Sequence, residues 1–271
     1  MPMIEHQLPA GFFFGAVIAY IAWRKEALSR SGAWAACILG GVIFGVGGFA
    51  WAALLLTFFV SSTLMSRLFA GRKRGLSEKF SKGTQRDWAQ VLANGGVGVV
   101  LVITQGRLGE ASWLWLAYAG ALATVNGDTW ATEIGVLSAK SPRLVTTGKT
   151  VPRGTSGGVS LLGMAATLAG AALVGLLAGL LAVKVGWLRG LVIGSAAGVF
   201  GASFDSFLGA SVQAIYTCPI CNKETEHHPL HSCGSATTQI RGWAWLNNDL
   251  VNLISAVIGA IAAAGLWLWV S

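Results

Sequence analysis

Apolar stretches, each close to the twenty or so residues a helix needs to cross a bilayer, follow one another along the chain. The segments between them are short and hold nearly all of its charge. Only 11% of residues are charged and 54% are hydrophobic, with mean hydropathy +0.63; a soluble domain carries about 25% charge. These figures exclude a disordered chain and a water-soluble globule. They predict an all-α polytopic membrane protein, one membrane-embedded domain over residues 1–271, in which 37 glycines serve close helix contacts. Candidate spans are 8–23, 32–47, 49–66, 88–105, 112–134, 157–182, 188–212 and 249–270. The stretch 33–65 is long for one helix and short for two, and Gly45-Val46-Gly47-Gly48 offers a tight turn within it.

Charge placement decides between these arrangements. With eight spans, all but three of the 19 Lys and Arg residues fall on one side. They lie around Arg24–Arg30, in a basic loop at 67–86, in 140–153, and at Lys223 and Arg241. The other side keeps Arg107, Lys184 and Arg189. The positive-inside rule then puts the basic loops in the cytoplasm and both termini outside, in an inner membrane. Seven helices with a re-entrant segment is the other arrangement. Residues 1–6 lack the positive stretch of a secretory signal, so the first helix is expected to be uncleaved. The net charge of +8 is thereby explained by orientation, and nucleic acid is not expected as a partner.

Five acids, Asp87, Asp128, Glu133, Asp205 and Asp249, lie at or within helix ends on the cytoplasmic side of this topology. An ionisable group at mid-bilayer costs about 2.5–3.5 kcal/mol, so each needs a partner, a wet cavity or a function. Asp87, Gln90 and Asn94 share one helical face, and Asn248, Asp249 and Asn252 form another. Asn126 joins Asp128 and Glu133, while Gly201, Asp205 and Gly209 recur every four residues. Polar clasps between helices are the plain alternative for any single acid. Together they form a set that would hold Mg²⁺ through oxygen ligands, with Asp87, Asp128, Glu133, Asp205 and Asp249 as candidates.

A glycine-rich loop over 140–158 is expected to run straight into the sixth span. Lys149, Arg153, Gly154, Thr155, Ser156 and Gly157 could cradle phosphate beside a helix N-terminus. The alternative is a flexible loop with Thr155 or Ser156 as an ordinary helix cap. Lys79 and Lys82 in the basic loop, with Asn94, Asn126 and Asn248, complete a nucleotide-binding set. Catalysis would rest on Asp128, Arg86, Lys149 and Asp205, through positioning and charge stabilisation. A phosphate acceptor, already ionised, needs no strong base; an alcohol would need one, and Asp128 is the candidate.

The segments Arg86-Asp87, Gln90-Val91-Leu92-Ala93-Asn94-Gly95-Gly96, Asn126-Gly127-Asp128-Thr129-Trp130-Ala131-Thr132-Glu133-Ile134-Gly135 and 154–158, with Phe204-Asp205-Ser206 and Asn247-Asn248-Asp249, resemble the transmembrane protein 19 / phytyl-phosphate kinase family. The resemblance covers most of the chain from about Ser61 onward. It implies a kinase that converts an isoprenoid monophosphate such as phytyl phosphate to the diphosphate. Residue by residue it marks Arg86, Asp87, Asn94, Asn126, Asp128, Glu133, Lys149, Asp205 and Asp249. Gly127-Asp128 followed by Lys149 and the glycine loop is also similar to CTP-using dolichol and phytol kinases. That similarity implies CTP as donor, with ATP or another nucleotide open.

Over 216–241 the chain carries Cys218, Cys221, His227, His228, His231 and Cys233. Cys218, Cys221, His231 and Cys233 would form a tetrahedral Cys3His zinc set in a knuckle-like loop. Free thiols and redox chemistry are the alternatives. An ion-coupled transporter is the competing function, since buried acids also bind coupling ions. Transport predicts acids near the midplane, whereas here they gather toward one face beside a basic glycine loop.

Overall fold

Every residue from 114 to 127 is buried on all sides in the helix α4 (Ser112–Gly135). This stretch is apolar around its whole circumference and rich in Ala and Gly, so neighbouring helices can close on it from every side and it becomes the centre of the molecule. In this computed structural model, which describes residues 2–71 and 85–271, six further helices accompany it. They are α1 (Pro2–Arg24), α2 (Arg30–Phe69), α3 (Trp88–Leu108), α5 (Leu161–Leu181), α6 (Trp187–Ser211) and α7 (Asn248–Val270). α4 packs against α2, α3, α5, α6 and α7, while α1 lies on α2. Lys79 and Lys82 fall outside the described residues.

Small residues set how closely these helices approach. A side chain on Gly120 would strike the carbonyl of Gly259, and one on Gly201 would strike Thr124. The α4–α6–α7 junction therefore has backbone nearly touching backbone beneath Asp205.

The stretch 33–65 resolves at Gly48, whose φ of 74° and ψ of −164° break α2. That region of backbone space is open essentially to glycine alone. The two arms, 30–47 and 49–69, fold back on each other. Ala33 and Ala36 of the first arm and Phe59 of the second pack on the same buried cluster of Ala22, Ala27 and Leu28. Arg67 near the end of the second arm donates to the carbonyl of Lys25, just before the first. Among the described residues five helices, α2, α3, α5, α6 and α7, are long and apolar enough to cross a membrane.

The polar segments gather at one end of this bundle. Strands β1 (Arg143–Leu144) and β2 (Gly158–Val159) pair antiparallel, and β3 (Ile215–Cys218), β4 (Lys223–Thr225) and β5 (Thr238–Arg241) form a sheet of order β4-β3-β5. The expectation that the glycine loop enters the sixth helix directly is corrected, and so is the alternative in which Thr155 or Ser156 caps that helix. Gly157 has φ +78°, Gly158 and Val159 pair with Leu144 and Arg143, and α5 starts only at Leu161. Ser160 caps it, accepting from the Gly163 N–H at 3.1 Å. The loop is an elaborated hairpin held over the bundle, and the α5 N-terminus is already capped by its own serine.

Candidate active site

A cavity of about 730 Å³ opens at the polar end of the bundle. Its walls are the ends of α2, α4 and α6, the starts of α3, α5 and α7, the β1–β2 hairpin, and Glu226 just beyond β4. Asp128, Glu133 and Asp205 line it, together with Asn94, Asn248 and Asn252. Arg86 and Arg153 supply positive charge, and Gly154, Thr155, Ser156 and Gly157 form one rim.

Arg86 is held by its own backbone. Its N–H donates to the Ala27 carbonyl at 3.1 Å and its carbonyl accepts from Ser29 N–H at 3.0 Å, clamping the residue to the α1–α2 connection. The side chain donates to Ser62 Oγ at 2.9 Å and lies over the rings of Phe58 and Phe59. Burial pushes the guanidinium down to about 10, and the nearby Glu133 carboxylate opposes that fall. Arg86 therefore stays cationic at neutral pH. Glu133 is itself buried at 8% exposure and accepts from Ser66 Oγ at 2.8 Å. Arg86 and Glu133 thus form a fixed polar shelf between α2 and α4.

On the other wall stands Asp205. Its Oδ2 is buried and makes no hydrogen bond among the described residues; the buried Ser255 hydroxyl is the donor that bears on this carboxyl, and the carboxylates of Asp128 and Glu226 bear on it electrostatically. A buried carboxylate oxygen is costly unless a donor, cation or proton satisfies it. Asp205, with Asp128 and Glu226 on the same cavity, makes three carboxyl groups that match the oxygen-donor chemistry of Mg²⁺, so these residues fit that ion. Thr155 Oγ1 is a second buried polar atom on this cavity with no partner among the described residues. It suits a phosphate oxygen.

The rim and the sheet are tied together by Gln213, which is 1% exposed. Ser156 Oγ donates to its Oε1 at 2.7 Å, and its Nε2 donates to Glu226 Oε1 at 3.0 Å. Gly157 lies so close to Ala210 of α6 that a Cβ there would strike its backbone. The hairpin is therefore fixed to α6 in the same place where Gln213 fixes Glu226.

The remaining residues marked from the sequence occupy other positions. Asp87 is the N-cap of α3, accepting from Gln90 N–H at 3.0 Å while the Gln90 side chain accepts from Asp87 N–H at 3.2 Å. It does not line the cavity, although Gln90 and Asn94 from the same face do. Asn126 is fully buried, accepting from Ser61 Oγ and donating to the Gly170 carbonyl, so it braces α4 between α2 and α5. Asp249 sits in the first turn of α7 outside the cavity wall, with Asn248 and Asn252 on it. Lys149 is exposed beyond the Gly148 turn of the hairpin and does not line the cavity, whereas Arg153 does.

Sequence reading missed Glu226 and Gln213. Glu224 and Glu226 both lie in the polar segment between the cysteines, and only the sheet register tells them apart: Glu224 pairs opposite Thr217, while Glu226 follows the strand and reaches the cavity.

The cysteine cluster assembles as expected. One ligand atom from each of Cys218, Cys221, His231 and Cys233 lies within 4.8 Å of all the others. Cys218 Sγ and Cys233 Sγ are 3.6 Å apart, and His231 Nδ1 is 3.3 Å from Cys233 Sγ. Four ligands at about 2.3 Å around a tetrahedral centre need separations of this size, so the cluster fits a metal ion. Hydrogen bonding to Ser235 and His231 pulls the Cys233 thiol down to about 5, and the neighbouring Cys233 pushes Cys221 up to about 11. The sheet is joined to the bundle by the Arg241 bond to the Gly209 carbonyl and by Ala214 N–H to the Leu246 carbonyl.

Residues 13–260 match the family described as integral membrane protein DUF92. The chain belongs to that family. The resemblance to the transmembrane protein 19 / phytyl-phosphate kinase family is thereby borne out. Among its relatives, Protein PGR of Arabidopsis thaliana is 34% identical over 94% of each chain. Protein VTE6, chloroplastic, of the same plant is 31% identical over 87% of this chain and 64% of its own length. An uncharacterised membrane protein of Methanocaldococcus jannaschii is 29% identical over 90% of this chain and 88% of its own. No solved structure matches this DUF92 member.

Proposed function

We propose that this protein is a membrane kinase that transfers the terminal phosphoryl group of a nucleoside triphosphate, CTP first among them, to an isoprenoid monophosphate such as phytyl phosphate. The observation that carries this reading is the buried Asp205 carboxyl, with the Ser255 hydroxyl as its donor, beside Asp128 and Glu226 on a cavity that also holds Arg86 and the glycine hairpin. An acidic pocket that calls for a cation, bordered by donors for phosphate, suits phosphoryl transfer between two phosphate-bearing substrates.

Asp128, Asp205 and Glu226 would hold Mg²⁺, with Asn248 and Asn252 near by. When bound, the ion would neutralise the donor's phosphates. Arg153, Thr155 and the N–H groups of 154–157 would orient those phosphates, and Arg86 would take the acceptor's phosphate against Ser62 and Asn94. Asp87, Asn126, Glu133 and Asp249 would then shape the site, Glu133 by fixing Arg86. Lys149 would draw the nucleotide toward the site from the hairpin, and Lys79 and Lys82, which lie outside the described residues, would add to that attraction through their charge. The acceptor's phosphate, with a second pKa near 6, is largely dianionic at neutral pH. One of its oxygens attacks the terminal phosphorus, a new P–O bond forms, and the bond from that phosphorus to the bridging oxygen breaks. The nucleoside diphosphate leaves with the electron pair, so no general base is required.

Eight crossings, counting the two arms of α2 separately, with the basic loops cytoplasmic and both termini outside, agree with the charge distribution. The Cys3His cluster would hold structural zinc and keep Glu226 in place. Transport is less favoured, because the acids gather toward one end of the helices beside the hairpin. Asp128→Asn and Asp205→Asn test the reading: each is expected to abolish diphosphate formation in a protein that still elutes as a folded species. Near-normal rates in both would contradict it.

A further inference from the structure

A second cavity of about 380 Å³ lies between α1, both arms of α2, and α3. Its lining is almost wholly apolar, including Ile18, Leu39, Phe44, Leu56, Phe59 and Val91. Three residues, Arg86, Gln90 and Asn94, line both this cleft and the polar cavity. They also provide its polar side. From Phe59 to Phe49 the cleft follows ten residues of helix, about 15 Å at 1.5 Å per residue, away from Arg86 and toward the Gly48 turn. Phe14 and Phe49 line it at 50% and 73% exposure, so it opens sideways out of the helices.

This arrangement has a charged end and an apolar length in series. A cation at the mouth of a hydrophobic slot selects a molecule with an anionic head on an apolar chain, and the cleft's continuity with the polar cavity sets where that head lies. We infer that the α1–α2–α3 cleft holds the hydrocarbon chain of the acceptor lipid, with its phosphate on Arg86 at the junction of the two cavities. The inference rests on the lipid-phosphate reading above and adds the chain's site. It also gives a purpose to the Gly48 fold-back: the second arm of α2 forms one wall of the slot and presents Phe58, Phe59 and Ser62 to Arg86. Gln90 and Asn94 lie on α3 where head and chain meet, so they face the lipid's first carbons and its phosphate ester.

Gly40 gives a way to block the slot. It lines the cleft, and a Cβ there would meet nothing nearer than the Gly15 Cα at 4.0 Å. A Trp at this position would reach into the space the chain would fill. The test uses the full-length protein in nanodiscs and a phytyl monophosphate bearing a diazirine at the tail end. Irradiation is followed by mapping of adducts by mass spectrometry, with unlabelled phytyl monophosphate or phosphatidylglycerol as competitor. Adducts on the cleft-lining parts of α1 and α2 that phytyl monophosphate displaces and phosphatidylglycerol does not are the expected result. Adducts confined to α5, α6 or α7, or equal displacement by the ordinary bilayer lipid, would overturn the assignment.

Turnover separates this claim from the kinase reading. Gly40→Trp is expected to lower kcat/KM for phytyl monophosphate by about tenfold or more, since burial of only two or three methylenes corresponds to that factor. The same variant should lose several-fold less on isopentenyl monophosphate, whose five-carbon chain has far less to bury. Equal losses on both substrates would overturn the cleft assignment and leave the kinase standing. Specific adducts in the cleft from a protein that turns over no nucleotide would leave the lipid site standing and overturn the kinase.

Discussion

Gln213 donates its side-chain amide to Glu226 at 3.0 Å, a bond from the exit of one membrane helix to the cysteine-bearing sheet. The same side chain accepts from Ser156, so one buried amide registers the glycine hairpin against an acidic residue of the cavity. Gln213→Leu keeps the volume and removes both bonds. If Glu226 is a ligand and Gln213 its support, apparent Mg²⁺ affinity should fall about 10- to 100-fold. A Mg²⁺ titration of the initial rate checks this, and an unchanged half-saturation point would show that Gln213 only joins the two elements.

Arg86→Lys keeps the positive charge and loses the fork that spans Ser62, Thr63 and the two phenyl rings. A hydrogen bond to a charged group is worth about 1.5–3 kcal/mol, so kcat/KM for the lipid phosphate should fall about 10- to 100-fold. The KM for the nucleotide should hardly change, because Arg153 and the hairpin lie on the other rim. Steady-state kinetics with each substrate varied in turn separate the two.

Much of this architecture is readable in the sequence, for reasons that differ by element. The helices announce themselves because apolar runs interrupted by charge have one outcome in a bilayer. The break in α2 was expected from Gly45-Val46-Gly47-Gly48 and lands on Gly48 because only that position takes the glycine-only backbone angles. Asp128, Glu133 and Asp205 are conspicuous because acids inside apolar sequence demand an explanation. Glu226 and Gln213 carry no such signal: acids and amides are ordinary in a polar loop, and their importance comes from contacts across 13 and 57 positions of sequence. The β1–β2 hairpin escaped notice because strands of two residues have no periodicity to detect. Asp87 shows the converse: its position on a polar helical face is equally that of an N-cap, and only coordinates separate those roles.

Gly48→Ala tests the fold-back directly. A Cβ at φ 74°, ψ −164° is strained by about 1–3 kcal/mol. The variant should lose several degrees of Tm and, because the second arm holds Ser62 and Phe58 against Arg86, lose activity with it. Thermal unfolding in detergent, followed by tryptophan fluorescence, is the measurement; an unaltered Tm would mean the two arms are not held by this turn.

Cys218→Ser removes a buried ligand of the Cys3His cluster. The wild type is expected to carry about one zinc per chain, bound by four ligands, and the variant far less. Elemental analysis after extensive dialysis decides the point, and equal zinc contents would contradict the ligand set. Loss of zinc should also weaken Mg²⁺ dependence through Glu226, which lies between Cys221 and His231.

The most direct measurement is product formation by the purified protein in nanodiscs, given Mg²⁺, phytyl monophosphate and CTP, ATP, GTP or UTP in turn, with product separated by chromatography. Phytyl diphosphate should appear with at least one nucleotide, CTP first, and disappear in Asp128→Asn. No diphosphate from any nucleotide, with the protein folded and its lipid bound, would contradict a kinase built around Asp128, Asp205 and Glu226.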